Sequence, residues 1–242
     1  MTAETPSPDA DQRPDRSMPS LPRLLIFDVN ETLSDLAGVA DRFEAAGVPR
    51  QLASTWFAGV LRDGFALTVT GDRPRFADLA ASSLTALLRG VVDDPASVRD
   101  DLLRGFTEVD VHPDVVEGVR DLQRLGIRLV TLSNGARSVA EGLLARSGVD
   151  GCFDRLLSVE EAPAWKPAAA AYEHALTECD VPAAEAMLVA VHPWDIHGAT
   201  RAGLRTAWVN RSGADYPETF AAPDLEATSI VDLAAQLGAV SA

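Results

Sequence analysis

Leu24-Leu25-Ile26-Phe27 is an unbroken run of large apolar residues that ends on an acid, Asp28. A strand built from it has no polar face to turn to water, so it must lie in a sheet covered on both sides. Sheets of that kind are mostly parallel, and they bind ligands at the carboxyl ends of their strands, where Asp28 falls. On this stretch alone, a turn-capping role for Asp28 is as good a reading as a catalytic one.

The rest of the chain supplies the layers. Apolar spacing predicts helices over 39–46, 50–62, 75–89 and 95–106, with no strand between Leu36 and Val111. From His112 onward the pattern alternates. A helix over 113–125 closes at Gly126 and leads to a strand over 128–132, a helix over 136–147 and a short strand at 156–157. Pro167 suits the first turn of a helix continuing over 168–179, followed by a strand over 186–191 and a turn at 192–195. A helix to 202, a strand over 206–209 and a helix over 230–237 complete the chain. Alternation of this kind predicts an α/β fold with a parallel sheet and crossover helices. The core is expected from 22–35 and 112–242, with 36–111 as a helical insertion after the first strand. Residues 1–21 carry four prolines and few large apolar side chains, so a disordered leader is expected there.

Composition narrows the function classes. With 242 residues and 47% hydrophobic content, the chain can bury one large core, or one core and a smaller appended domain, without disulfide or metal staples. The net charge of −15 argues against binding a nucleic-acid backbone, and a small anionic substrate would need a locally positive pocket. The two cysteines, Cys152 and Cys179, lack CxxC spacing and no secretory signal is evident, which points to the cytoplasm. No apolar stretch is long enough to span a bilayer.

Four predicted strand ends present Asp28 with Thr32, Ser133 with Asn134, Lys166, and Asp195, in that chain order. Taken singly, Lys166 reads as a solvated charge, Asp195 as a helix N-cap and Ser133-Asn134-Gly135 as a turn. Their joint order resembles the haloacid dehalogenase superfamily, with its nucleophilic Asp after strand one, then a Ser or Thr, then a Lys and a final acid. Within it, LSNGARSV, DRLLSVEEAPAWKPAAAAY and PWDIHGATRAGL are similar to the L-2-haloacid dehalogenase group, including Lys166 six residues before Tyr172 and the pair Trp194-Asp195. The resemblance implies a Rossmann-like core with 36–111 as a cap domain. It implies catalytic roles for Asp28, Lys166, Asp195, Ser133 and Thr32, and substrate contacts from Asn134, Asn30, His192, Trp194, Tyr172, Phe57 and Arg62. No metal and no cofactor are implied, and a homodimer is suggested by the resemblance alone.

Those residue types suit the chemistry. A carboxylate attacks carbon or phosphorus only when ionised and held in line, and a neighbouring ammonium lowers a carboxyl pKa by roughly 1–3 units. Thr32, Ser133 and Asn134 can position the nucleophile or a substrate carboxylate, and Asp195 could orient or activate the hydrolytic water. Two departures argue against phosphatase chemistry. Asn30 stands where superfamily phosphatases carry a second Asp as acid/base, and Val191 stands where the first of a late acidic pair would bind Mg²⁺. Against the dehalogenase group, Trp56 is followed by Phe57 rather than Arg, with Arg62 further along as a substitute or a plain surface residue. AVHPWD places Ala190 and His192 where the group has Ser and Asn; His192 reads equally as a proton shuttle, a donor to substrate or a structural turn residue. His197 reads as structural. Trp56, Phe57, Phe65 and Trp194 are candidate pocket walls, with core packing the alternative.

The function expected is metal-independent hydrolytic dehalogenation of a short 2-haloalkanoic acid through an aspartyl ester on Asp28. The alternatives are a phosphatase with a degenerate metal site and a non-catalytic binding protein on the same fold.

Overall fold

The computed structural model describes residues 20–240. Its strands are β1 (Leu24–Phe27), β2 (Arg128–Ser133), β3 (Arg155–Ser158), β4 (Ala186–Ala190), β5 (Arg205–Val209) and β6 (Leu225–Ala227). They form one sheet in the order β3-β2-β1-β4-β5-β6, every pairing parallel. β1 therefore lies between two strands, and all four of its side chains are buried. The central position is the physical reason for its unbroken apolar run. Asp28 follows at its carboxyl tip, its N–H still donating to the Val189 carbonyl of β4.

Four helices separate β1 from the rest of the core: α1 (Ala37–Ala45), α2 (Leu52–Val69), α3 (Phe76–Leu88) and α4 (Pro95–Thr107). They pack on one another around Phe43, Trp56, Phe57, Phe76 and Phe106, with ring centroids 5.5–6.2 Å apart. The insertion leaves and re-enters the core at one point, where Ser34 and Val111 form an antiparallel bridge and the His112 N–H donates to the Leu33 carbonyl. The remaining helices are α5 (Val115–Arg124), α6 (Arg137–Ser147), α7 (Ala169–Cys179), α8 (Pro193–Arg201) and α9 (Ile230–Val240). α5 packs on α9, α6 on β2 and β3, and α8 on β4 and β5.

The differences from the sequence reading have local causes. α2 runs on to Val69 instead of ending at Arg62, because Gly64 lets the helix continue beneath the Trp165 ring; a Cβ there would meet that ring at 2.3 Å. Pro167 lies before α7 rather than in its first turn, joined to Lys166 by a cis peptide bond. α8 begins at Pro193, so Asp195 sits in the first helical turn and not in a preceding loop. β6 was not expected: it has three residues, Glu226 at its centre and only β5 as a partner, too short for a periodic signal. The expected leader over 1–21 lies outside the described residues except for Ser20 and Leu21. There Ser20 accepts from Arg205 and Leu21 packs against the core. No described helix is long and apolar enough to cross a membrane.

Candidate active site

The β1 tip delivers Asp28 into a cluster of groups from five separate segments. Thr32 donates its hydroxyl to Asp28 Oδ2 at 2.7 Å and accepts from the Val191 N–H at 3.1 Å, tying the first turn to the end of β4. Lys166 donates to Asp28 Oδ1 at 2.9 Å and to Asp195 Oδ2 at 2.6 Å, and its side chain is fully buried. The other Asp195 oxygen accepts from the Tyr172 hydroxyl at 2.6 Å. Asn134 holds the Lys166 main chain at both ends, accepting from its N–H at 3.0 Å and donating to its carbonyl at 3.2 Å. Gly198 makes this packing feasible, because a Cβ there would meet both the Tyr172 hydroxyl and Pro167 at 2.6 Å.

His192, at the N-cap of α8, closes the other side of Asp28. Its Nδ1 lies 3.3 Å from Asp28 Oδ2, and its Nε2 lies 2.9 Å from Glu31 Oε2. Glu31 adopts φ +62°, a left-handed conformation that costs a non-glycine residue about 1–2 kcal/mol. The turn is held by Ser34 Oγ, which accepts from the Glu31 N–H, and by His112, whose Nε2 lies 2.9 Å from the Glu31 carbonyl. Trp194 stacks on the His192 ring with centroids 5.0 Å apart and meets Phe65 edge-on.

Burial by itself would raise the Asp28 carboxyl. Lys166, His192 and Thr32 together reverse this and hold it well below the usual carboxylate range. Burial would lower Lys166, but Asp195 and Asp28 overcome it and keep the ammonium charged. Asp195, the most enclosed of the acids, is pushed up by burial, and Lys166 opposes the shift. His192 would also be lowered by burial, yet its contacts with Asp28 and Glu31 raise it from 6.5 to about 9. The cluster therefore sets an ionised Asp28 between a charged Lys166 and a charged His192, with Asp195 pushed up by its burial behind Lys166 and Glu31 at the solvent edge.

The His192 shift carries a stability consequence of definite sign. Because the folded-state pKa is raised, its contribution is fully present below about pH 6.5 and is lost as pH rises through about 9. The size is on the order of 3 kcal/mol. Urea unfolding of the wild type and of His192→Gln at pH 6 and pH 10 should show the difference in stability shrinking at the higher pH. A difference independent of pH would contradict the charged imidazole.

Two cavities are lined by residues next to Asp28. One of about 110 Å³ lies on the Asn30 and Ser133 side, walled by Val29, Phe76, Leu103 and Phe106. Ser133 Oγ accepts from the Gly135 N–H at 2.9 Å, which leaves its proton to be donated. The other, about 460 Å³, lies on the His192 and Glu31 side, walled by Trp56, Phe57 and Trp208 with His112 and Arg211.

The structure thus brings Asp28, Thr32, Lys166, Asp195 and His192 into direct contact, with Ser133, Asn30, Phe57 and Trp194 around them. It corrects four expectations. Arg62 is not at the site: its side chain is 76% exposed and paired with Asp63. Asp195 is fully buried with both oxygens engaged, so activating water is not open to it in this geometry. Tyr172 and Asn134 spend their polar atoms on Asp195 and on the Lys166 backbone rather than on substrate space. His197 is structural as expected, accepting from the Ala221 N–H. The sequence reading missed Glu31, His112 and Arg211. Arg211 donates to the Thr32 carbonyl at 2.8 Å and pairs with Asp114. Glu31 lies three residues after Asp28, but a left-handed glutamate leaves no sequence signal.

A family model described as haloacid dehalogenase-like hydrolase matches residues 22–203. Haloacetate dehalogenase H-2 of Moraxella sp. (strain B) is 29% identical over 205 residues, covering 83% of this chain and 91% of that protein. The (S)-2-haloacid dehalogenase of Pseudomonas sp. (strain YL) is 28% identical over 209 residues, covering 85% and 90%. Among solved structures, an L-2-haloacid dehalogenase superposes with a TM-score of 0.85 at 28% identity, over 90% of this chain and 100% of the other.

Proposed function

The chain belongs to the haloacid dehalogenase-like hydrolases, and on that footing we propose that it hydrolyses the carbon–halogen bond of a short 2-haloalkanoic acid. Asp28 attacks the carbon bearing the halogen, the halide leaves with the bonding pair, and an ester joins Asp28 to the substrate. Water then attacks the ester carbonyl, releasing a 2-hydroxy acid and restoring Asp28. One observation carries this reading: Asp28 is nearly enclosed, yet Lys166, His192 and Thr32 keep it ionised and aimed from the β1 tip. A carboxylate held so far below its ordinary range suits a nucleophile and not a proton donor.

The other roles follow from placement. Lys166 orients and charges Asp28, while Asp195, Tyr172 and Asn134 fix Lys166. Ser133 and Asn30, lining the small cavity, are suited to the substrate carboxylate, with Phe76 and Phe106 against its alkyl group. Residues 36–111 act as the cap that excludes water from the ester-forming step; the support is that Trp56, Phe57, Phe76 and Phe106 reach the cavities beside Asp28. The two cysteines are unbonded, which supports a cytoplasmic setting. A homodimer remains a proposal resting on the family resemblance.

The test is isotopic. With enzyme in excess over 2-chloropropionate in ¹⁸O water, the label should enter the Asp28 carboxylate while the product hydroxyl carries ordinary oxygen. Label in the product alone after one turnover would rule out the ester.

A further inference from the structure

Lys166 is fully buried and reaches two carboxylates, Asp28 at 2.9 Å and Asp195 at 2.6 Å. Neither contact has slack. Lengthening either by about an ångström would break it as a hydrogen bond, so the Lys166 backbone has to be held firmly. From the core it is held by Asn134, which bonds both its N–H and its carbonyl. The residue before it is held from the other side. Trp165 is 3% exposed, and its side chain is gripped by the helical insertion. Its ring stacks on Phe76 with centroids 6.0 Å apart, and its Nε1–H donates to the Pro74 carbonyl at 2.9 Å. The six-membered ring lies against Gly64, where a Cβ would meet it at 2.3 Å. Arg73 fastens the same seam, donating to the Ala162 carbonyl at 2.7 Å, while Arg75 lies 3.6 Å from the Glu160 carboxylate. The turn between α2 and α3 thus closes on the segment that leads into Lys166.

We propose that Trp165 is a positioning residue that makes the reach of Lys166 to Asp28 depend on how the helical insertion sits on the core; the role rests on the dehalogenase reading above. Successive Cα atoms are a fixed distance apart, so a displaced Trp165 carries Lys166 with it. Phe76 extends the connection in the other direction. It stands between Trp165 and Phe106, stacked on both, and walls the 110 Å³ cavity together with Asn30 and Ser133. A substrate pressed against Phe76 therefore bears on Trp165 through the stacked rings. Seating the insertion and bringing the ammonium onto the nucleophile become one event, so the attacking carboxylate is fully assembled only under a closed insertion. Asn30 and Ser133 belong to the core and stand outside this route, which separates an effect on the nucleophile from one on substrate binding.

The experiment is rapid-mix halide release over a range of 2-chloropropionate concentrations, in wild type and Trp165→Phe, and again with Trp165→Phe added to Lys166→Met. Urea unfolding of each protein reports the fold. Phenylalanine keeps a ring for Phe76 but gives up the N–H to Pro74 and the six-membered ring beside Gly64. The maximal rate of the halide burst should fall by roughly ten- to a hundredfold, the scale of an ångström of misplacement, with the half-saturating concentration within about threefold of wild type. In the Lys166→Met background the same substitution should change the burst by less than about twofold, because the group it acts through is gone. If Lys166→Met does not fold, the split between maximal rate and half-saturation decides by itself. A wild-type burst rate in Trp165→Phe, a raised half-saturating concentration at unchanged maximal rate, or an equal loss in both backgrounds would each overturn the proposal. No halide from the wild type would overturn the dehalogenase reading itself.

Discussion

Asp28→Asn is expected to lower halide release by roughly five to six orders of magnitude, the scale seen when a covalent nucleophile is removed. The amide keeps the shape of the carboxylate and its one oxygen can still accept from Lys166, while its NH2 faces Thr32, whose hydroxyl oxygen can accept in place of donating. What disappears is the anionic oxygen that bonds to carbon. Removing that charge also leaves Lys166 with Asp195 and His192 with Glu31, each still paired, so the folded state should stay within about 1–2 kcal/mol of wild type. Halide assay and urea unfolding on the same preparation decide the matter. Activity within a hundredfold of wild type would sink the assignment of Asp28 as nucleophile.

Lys166→Met has the largest expected effect on the fold itself. The side chain is fully buried and is the only cation within hydrogen-bond reach of both Asp28 and Asp195 among the described residues. Methionine fills much of the space but leaves two enclosed carboxylates without the ammonium between them. Breaking a buried pair from one side costs about 3–5 kcal/mol, chiefly because the orphaned charge stays dry. Activity should fall by about a thousandfold or more, since Asp28 loses the first of the attractions that keep it ionised. The stability loss has a pH signature. Without the ammonium, burial pushes both carboxyls up unopposed by Lys166, so the folded variant takes up protons more readily than the wild type and the deficit should shrink on acidification. Unfolding curves at pH 5 and 7.5 measure this. An equal deficit at both pH values would mean that Lys166 matters for its packing and not for its charge.

Much of this architecture was legible because it depends on local pattern. The run from Leu24 to Phe27 required a central strand, and the alternation after His112 required crossover helices, both being direct consequences of which side chains water excludes. Gly126 ends its helix in the left-handed conformation, as its position suggested. Failures began where a local rule met a distant residue. Gly64 should weaken a helix, yet α2 passes through it because Trp165, a hundred residues later, packs on the bare Cα. Arg62 was a reasonable substitute for a missing arginine by spacing alone, but that face of α2 looks to water.

Within the site the division is the same. The order Asp28, Ser133, Lys166, Asp195 was enough to place four groups at one end of a sheet, because parallel strands deliver their carboxyl tips to a common edge. Direction was not encoded there. Tyr172 six residues after Lys166 could have faced substrate; α7 and α8 pack so that its hydroxyl meets Asp195. Asn134 could have reached the pocket, and instead it clamps the Lys166 backbone. Hydrogen-bond partners are chosen by three-dimensional proximity at the level of an ångström, which spacing along a chain does not specify.

The sequence by itself therefore determined a parallel α/β core, a helical insertion after β1 and an acid at the central strand's tip, since burial of apolar surface and strand polarity decide those. Only the tertiary structure decided that Asp195 is sealed behind Lys166 and Tyr172, and that Glu31 bends into a left-handed turn to reach His192. The first depends on contacts between segments 23 and 29 residues apart, the second on a contact across 161 residues and on a backbone conformation that side-chain identity does not announce. Charge state followed from the same enclosure: a carboxyl, an ammonium and an imidazole that would titrate independently in water settle one another's protons once water is excluded from between them.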